Sequence, residues 1–176
     1  MKLEIILHPD MRLKKKCMPV LNISDDLRSL AKNMLETMYA APGIGLAAPQ
    51  VGHLSRLIVL DCVKPGDRSP QPVIMFNPEI ISKSDELNTY EEGCLSLPEQ
   101  FAEIKRPAQV EVSWIDENGN DQEQEFNGLW ATCLQHEIDH LDGTLFIDYL
   151  TLLKRKMITR KMQKFKRELA RGENAS

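Results

Sequence analysis

The stretch Trp130-Ala131-Thr132-Cys133-Leu134-Gln135-His136-Glu137-Ile138-Asp139-His140-Leu141-Asp142 decides how the rest of the chain must be arranged. Leu134, Ile138 and Leu141 form one apolar stripe at helical spacing, and Leu129, Cys133, His136 and His140 form a second. Gly128 and Gly143 bracket the segment and no proline interrupts it, so it reads as a helix. A helix with apolar residues on two sides is buried among other elements, not laid on the surface. Within it His136, Glu137 and His140 spell H-E-x-x-H. That spacing sets two imidazoles one turn apart on one face, where both reach one divalent metal. Glu137 stands beside the first, placed to take a proton from water activated by the ion. For these residues alone, the competing reading is a structural histidine pair hydrogen-bonded to carboxylates.

A catalytic metal needs a third protein ligand. The longer pattern H-E-x-x-H-x-x-G-x-x-H would put histidine at position 146, where this chain has Phe146, although Gly143 keeps the spacing. Glu168 is a downstream carboxylate, but its strongly basic surroundings suit a buried ligand poorly. Cys133 shares the helix face, yet it lies one turn farther from His140 and would have to bind past His136. The remaining candidate is Cys94, in Glu91-Glu92-Gly93-Cys94-Leu95-Ser96-Leu97-Pro98. Gly93 allows close backbone approach there, and a thiolate suits soft or borderline metals.

Working outward, 176 residues with 42% hydrophobic content fit one domain with a sizeable core. The apolar run at the N-terminus is too short for a signal peptide, and no stretch approaches a membrane span, so a cytoplasmic protein is expected. Cys17, Cys62, Cys94 and Cys133 are far apart, lack C-x-x-C pairing and read as reduced thiols. Leu27, Leu30, Ala31, Met34, Leu35 and Met38 predict a helix over 24–40, with Ser24 as N-cap and Pro42-Gly43 ending it. Gly43-Ile44-Gly45-Leu46-Ala47-Ala48-Pro49-Gln50 follows. Its glycines suit close approach of a peptide to the main chain, and no Lys-Ser/Thr follows to make a phosphate cradle. Strands are expected at 56–60, 73–76, 79–82, 109–115 and 122–126, with a hairpin turn at 116–120 and an exposed loop at 65–72. Neighbouring strands with tight turns predict an α+β fold, antiparallel sheets packed around the metal-binding helix, followed by a C-terminal helix.

That last helix differs from the body in charge. From residue 151 onward there are nine lysines and arginines against two acids, whereas residues 1–150 carry 13 against 24. Leu150, Leu153, Met157, Phe165 and Leu169 predict an apolar stripe, so the segment is an amphipathic helix either packed on the body or drawn to a phosphate-rich partner. No motif for sequence-specific nucleic-acid reading is present.

GIGLAAPQ at 43–50, EGCLS at 92–96 and QHEIDH at 135–140 resemble, in order, the three signature motifs of peptide deformylases, and the resemblance runs from about residue 3 to about residue 165. It implies removal of the N-formyl group from the initiator methionine of new polypeptides, with release of formate. It implies Cys94, His136 and His140 as ligands of one divalent metal, Fe2+ in this family, although the donor set suits Zn2+, Ni2+ or Co2+ alike. Glu137 would be general base and then acid, with the Gln50 side-chain amide and the Leu95 backbone N–H donating to the oxyanion. Ile44, Leu129, Cys133 and Tyr90 would line the methionine pocket, Gly43 and Gly45 would meet the peptide main chain, and Glu92 would belong to the substrate-binding set. Many bacterial members carry arginine where this chain has Phe101, so distal peptide contacts are expected to differ. A basic C-terminal helix touching the ribosome would match what some members do. The rivals are a small metallopeptidase and a catalytically silent, ribosome-associated metalloprotein.

Overall fold

The computed structural model describes residues 1–63, 66 and 69–172. In chain order these form α1 (Asp25–Ala40), β1 (Gly45–Ala47), β2 (Leu57–Leu60), β3 (Val73–Lys83), β4 (Leu87–Cys94), β5 (Leu97–Pro107), β6 (Gln109–Ile115), β7 (Asp121–Asn127), α2 (Gly128–Leu141) and α3 (Leu152–Ala170). Short 3-10 turns at Met11–Lys14, Ala48–Val51 and Phe146–Tyr149 join them. An antiparallel sheet of order β1-β2-β3-β6-β7 faces a separate two-stranded sheet, β4-β5.

The central strand explains the layering. All four residues of β2 are buried. Leu57 and Val59 pack with Leu30, Met34 and Met38 of α1, while Ile58 and Leu60 pack with Leu134 and Ile138 of α2. A strand covered on both faces needs an unbroken apolar run, which is what Leu57-Ile58-Val59-Leu60 supplies. Two helices therefore sandwich the large sheet. α2 also touches β5 of the small sheet, so it lies between the two sheets, as its two apolar stripes require. A third cluster, including Leu13, Leu97, Ile104, Phe146 and Met162, ties β5 to α3.

The α+β class, α1 with its Ser24 cap, β6 and the hairpin to β7 fall where the sequence places them. Three expectations change. The strands expected at 73–76 and 79–82 are one strand, β3, carried through Pro78 by register shifts around Asn77. Asn77 has φ 50°, and its side chain bonds both the N–H and the C=O of Val20, which holds the irregularity in place. The β4-β5 hairpin was not expected, because most of its outward residues are polar and β5 carries Pro98, Pro107 and a buried arginine. The α3 stripe is shifted in part: Leu150 and Phe165 pack on the core as expected, but Leu153 and Met157 are 70% and 50% exposed, and Ile158 and Met162 face the core in their place. The loop expected at 65–72 falls partly outside the described residues. Among the described residues no helix is long and apolar enough to cross a membrane.

Candidate metal centre and active site

Ten of the 14 residues of α2 are buried, and they include Gln135, His136, Glu137 and His140. Burial of so many polar groups is costly unless each finds a partner. His136 and His140 point inward together, their Nε2 atoms 3.3 Å apart. Cys94 reaches them from the end of β4, where a bulge at Gly93/Cys94 and the tight connection to Leu97 aim the thiol at α2. Its Sγ lies 3.3 Å from His140 Nε2, and the three ligand atoms all fall within 4.8 Å of one another. Metal–sulfur and metal–nitrogen bonds of about 2.3 and 2.1 Å at tetrahedral angles place such atoms roughly 3.3–3.6 Å apart. The donor set and its spacing fit one divalent ion.

The support beneath this cluster was not visible in the sequence. Glu92 accepts from His136 Nδ1 at 2.9 Å and takes two bonds from Arg106, at 2.7 and 3.0 Å. Arg106 also donates to Asp139 at 2.8 Å, and Tyr149 O–H donates to the same carboxylate. With Nδ1 donating, His136 presents its Nε2 lone pair to the centre. Burial opposes the charge on Glu92, but the bonds from His136 and Arg106 outweigh it and hold its pKa below the usual carboxylate range. Burial likewise works against a charged His136, yet Cys94 and Glu92 raise its pKa well above the ordinary value, so a metal at Nε2 would bind in competition with a proton there. Burial and the neighbouring His136 push His140 well below it. The sequence-based reading put Glu92 among substrate contacts; it lines the cavity, and its carboxylate is bonded by His136 and Arg106, since a buried charge must be paired. Arg106 shares the inward face of β5 with Ile104, and a charge in that register is the one signal that could have flagged it.

Gln50 is buried and held from both ends. Ala47 N–H donates to its Oε1 at 2.9 Å, and its Nε2 donates to Ser96 Oγ at 3.1 Å and toward Cys94 Sγ at 3.4 Å. The amide nitrogen is thereby fixed beside the metal ligands. Leu95 sits in the connection that follows Cys94.

Above the cluster opens a cavity of about 480 Å³. Gly43, Ile44 and Gly45 form one wall with Leu129 and Cys133, and Tyr90 and Glu92 lie on the side of β4. Gln50, Leu95 and Glu137 line it too, whereas His140 lies beneath. Gly45 runs so close to α2 that a Cβ there would collide with Glu137 Oε1 and Cys133 Sγ. Glycine is needed for β1 to reach the site at all. Glu137 Oε2 is buried with no hydrogen-bond partner, as is His140 Nδ1. Burial pushes the Glu137 carboxyl up to about 7. A base poised near neutrality beside an open cavity is suited to proton transfer.

Fold and site together define a mononuclear metal-dependent hydrolase of the H-E-x-x-H kind. The polypeptide deformylase family model matches residues 2–156. The peptide deformylase of Rhodopseudomonas palustris strain BisB18 is 52% identical over 162 residues, covering 92% of this chain and 93% of that protein. A crystal structure of a peptide deformylase from Legionella pneumophila superposes with TM-score 0.89 at 44% identity, over 97% of this chain and 99% of that one. One from Ehrlichia chaffeensis in complex with actinonin gives 0.89 at 39% identity, over 94% and 98%. The chain belongs to the polypeptide deformylase family.

Proposed function

We propose that this protein hydrolyses the N-formyl group from formyl-methionyl peptides emerging from translation, in the cytoplasm and as a single catalytic domain, releasing formate and a free amino terminus. The observation that carries the reading is the convergence of Cys94, His136 and His140 at the floor of a cavity that also holds the unpartnered Glu137. These three residues would hold the metal, which the family resemblance implies is ferrous iron. When bound, it supplies Lewis acidity toward a carbonyl and lowers the pKa of water toward neutrality.

The remaining work falls to the chain. Glu137 accepts a proton from the attacking water and returns it to the departing amine. Gln50 Nε2, held by the bonds at both ends of its amide, donates to the oxygen that gains charge on the former formyl carbon, together with the Leu95 N–H. Ile44, Leu129, Cys133 and Tyr90 receive the methionine side chain, and the main chain at Gly43 and Gly45 meets the peptide. Glu92 and Arg106 act through His136 as positioning residues. Formate release from a formyl-Met peptide should fall in Glu137→Gln by about 10²–10⁴-fold, the range for loss of a general base. Cleavage of an unformylated peptide by the wild type would favour the peptidase instead. Reconstitution with each metal under anaerobic conditions should give the iron form the highest activity, decaying in air.

We also infer that the exposed cations of α3, among them Lys156, Arg160, Lys161 and Lys164, face the ribosome. Removing the helix is a poor test, since Met162 is fully buried in the cluster that includes Leu97. Neutralising Arg160, Lys161 and Lys164 should weaken ribosome cosedimentation and flatten its salt dependence. Unchanged binding would remove the idea.

A further inference from the structure

A second concavity opens on the neighbouring face of α2. Gln135 and Asp139 each precede a metal-site histidine by one residue, about 100° around the helix axis. They help to line a cleft of about 400 Å³ between the ends of β3 and β5. Its walls are the β3 residues from Ile80 to Lys83 and the β5 residues from Lys105 to Pro107, with Tyr149 beside them. Four consecutive residues of a regular strand cannot share one face, because their side chains alternate. The register shift between Ile80 and Ser82 breaks that alternation here. The volume falls within the range of small-molecule sites, roughly 300–1,000 Å³.

The lining of this cleft is cationic. Lys83, Lys105 and Arg106 stand against one carboxylate, Asp139. That carboxylate is already shared by Arg106 and Tyr149, each at 2.8 Å. Glu111, the partner of Ser82 in the β3-β6 register, accepts from the Ser82 O–H at 3.0 Å. Among the described residues Lys83 and Lys105 are in no ion pair. Arg106 is buried, and its bonds to Glu92 and Asp139 use three of its five N–H groups. Its guanidinium lies 4.9 Å from the centre of the Tyr149 ring. Apolar surface stands beside this charge, since Ile81 and Tyr149 are 45% and 53% exposed. Two ammonium groups without partners next to exposed apolar surface suit an anion with a flat apolar body. Its acid group meets the cations, and its body covers Ile81 and the tyrosine ring.

We propose that this cleft binds a small organic anion with a flat apolar body, and that its occupancy tightens the hold on the metal. Arg106 joins the two sites, because it bonds Glu92 and Glu92 accepts from His136 Nδ1. An anion beside the guanidinium offsets a positive charge that opposes a divalent cation. It also leaves Glu92 the stronger acceptor for His136. The coupling rests on the metal-centre reading; the cleft itself does not. The test is calorimetric titration of naphthalene-2-sulfonate, a poor metal ligand, into the zinc-loaded protein at neutral pH, beside the uncharged 2-naphthol. One sulfonate per chain should bind with a Kd of about 1 mM or tighter. The naphthol should bind at least about fivefold more weakly, and Lys83→Gln/Lys105→Gln should lose about fivefold of the sulfonate affinity. Zinc affinity, read by chelator competition, should rise about fivefold at saturating sulfonate in the wild type and stay level in the double variant. No sulfonate binding, equal binding by the double variant, or a zinc affinity unmoved by sulfonate would overturn the proposal. If the protein takes up no zinc, the metal-centre reading falls, and the titration alone still decides the cleft.

Discussion

Helices α2 and α3 differ in how they treat their polar residues, and so in what each contributes. Ten residues of α2 are buried, while α3 buries Met162 alone in 19 positions. On α2 most buried polar groups are tied to others: His136 to Glu92, Glu92 to Arg106, Arg106 to Asp139, and Asp139 to Tyr149. The two that lack partners, on Glu137 and His140, belong to the cavity wall and the metal cluster. On α3 the cations stand mostly in water, and pairs such as Lys164–Glu168 at 3.6 Å are exposed. Substitutions on α2 and its supports should therefore propagate, and those on the outer face of α3 should not.

The largest effect should come from Arg106→Met. It leaves Glu92 buried without its bidentate partner, a loss on the order of 3–5 kcal/mol of stability, read by denaturant unfolding. Metal affinity should fall by about 10–100-fold as His136 loses its orientation; a full-affinity variant would break the link between support and ligand. Met162→Ala should cost about 2–5 kcal/mol as a core truncation, because α3 is anchored on that one fully buried residue. Activity per folded molecule should change little, since Met162 does not line the cavity.

A third, smaller effect depends on pH. His8 is buried and bonded to Thr159 Oγ1 at 2.8 Å, joining the N-terminal segment to α3. Burial, with help from Lys14, lowers its pKa to about 4. The unfolded chain binds this proton near pH 6.5 and the folded chain only near 4. Its contribution is therefore intact above 6.5 and lost as pH falls through that window, on the order of 1–3 kcal/mol. The slope of stability between those values should diminish in His8→Gln. The smallest effect belongs to Lys161→Gln, which should shift stability by less than about 0.5 kcal/mol; a larger loss would mean α3 is not the solvated helix described here.

The same contrast explains what could be read from the sequence. α2 was legible because two stripes and H-E-x-x-H coincide on one segment, and β2 because four apolar residues in a row allow little else. β4 and β5 were not, since Glu91 and Glu103 face water and the inward positions include Glu92 and Arg106, charges whose partners are 14 and 44 residues away. No local spacing encodes such pairs. The α3 stripe was misplaced in part, by roughly a third of a turn around the helix axis, because Leu153/Met157 and Ile158/Met162 are equally helical in period. Only contact with the cluster holding Leu13 and Phe146 decides between them.

The central claim is that one ion is held by a sulfur from β4 and two nitrogens from α2. X-ray absorption at the metal edge of the loaded protein tests it directly, read beside the metal content of Cys94→Ala. One metal per chain with a sulfur and two imidazole neighbours, lost in the variant, is the expected result. A metal without sulfur in its coordination shell, or full occupancy and activity in Cys94→Ala, would contradict it.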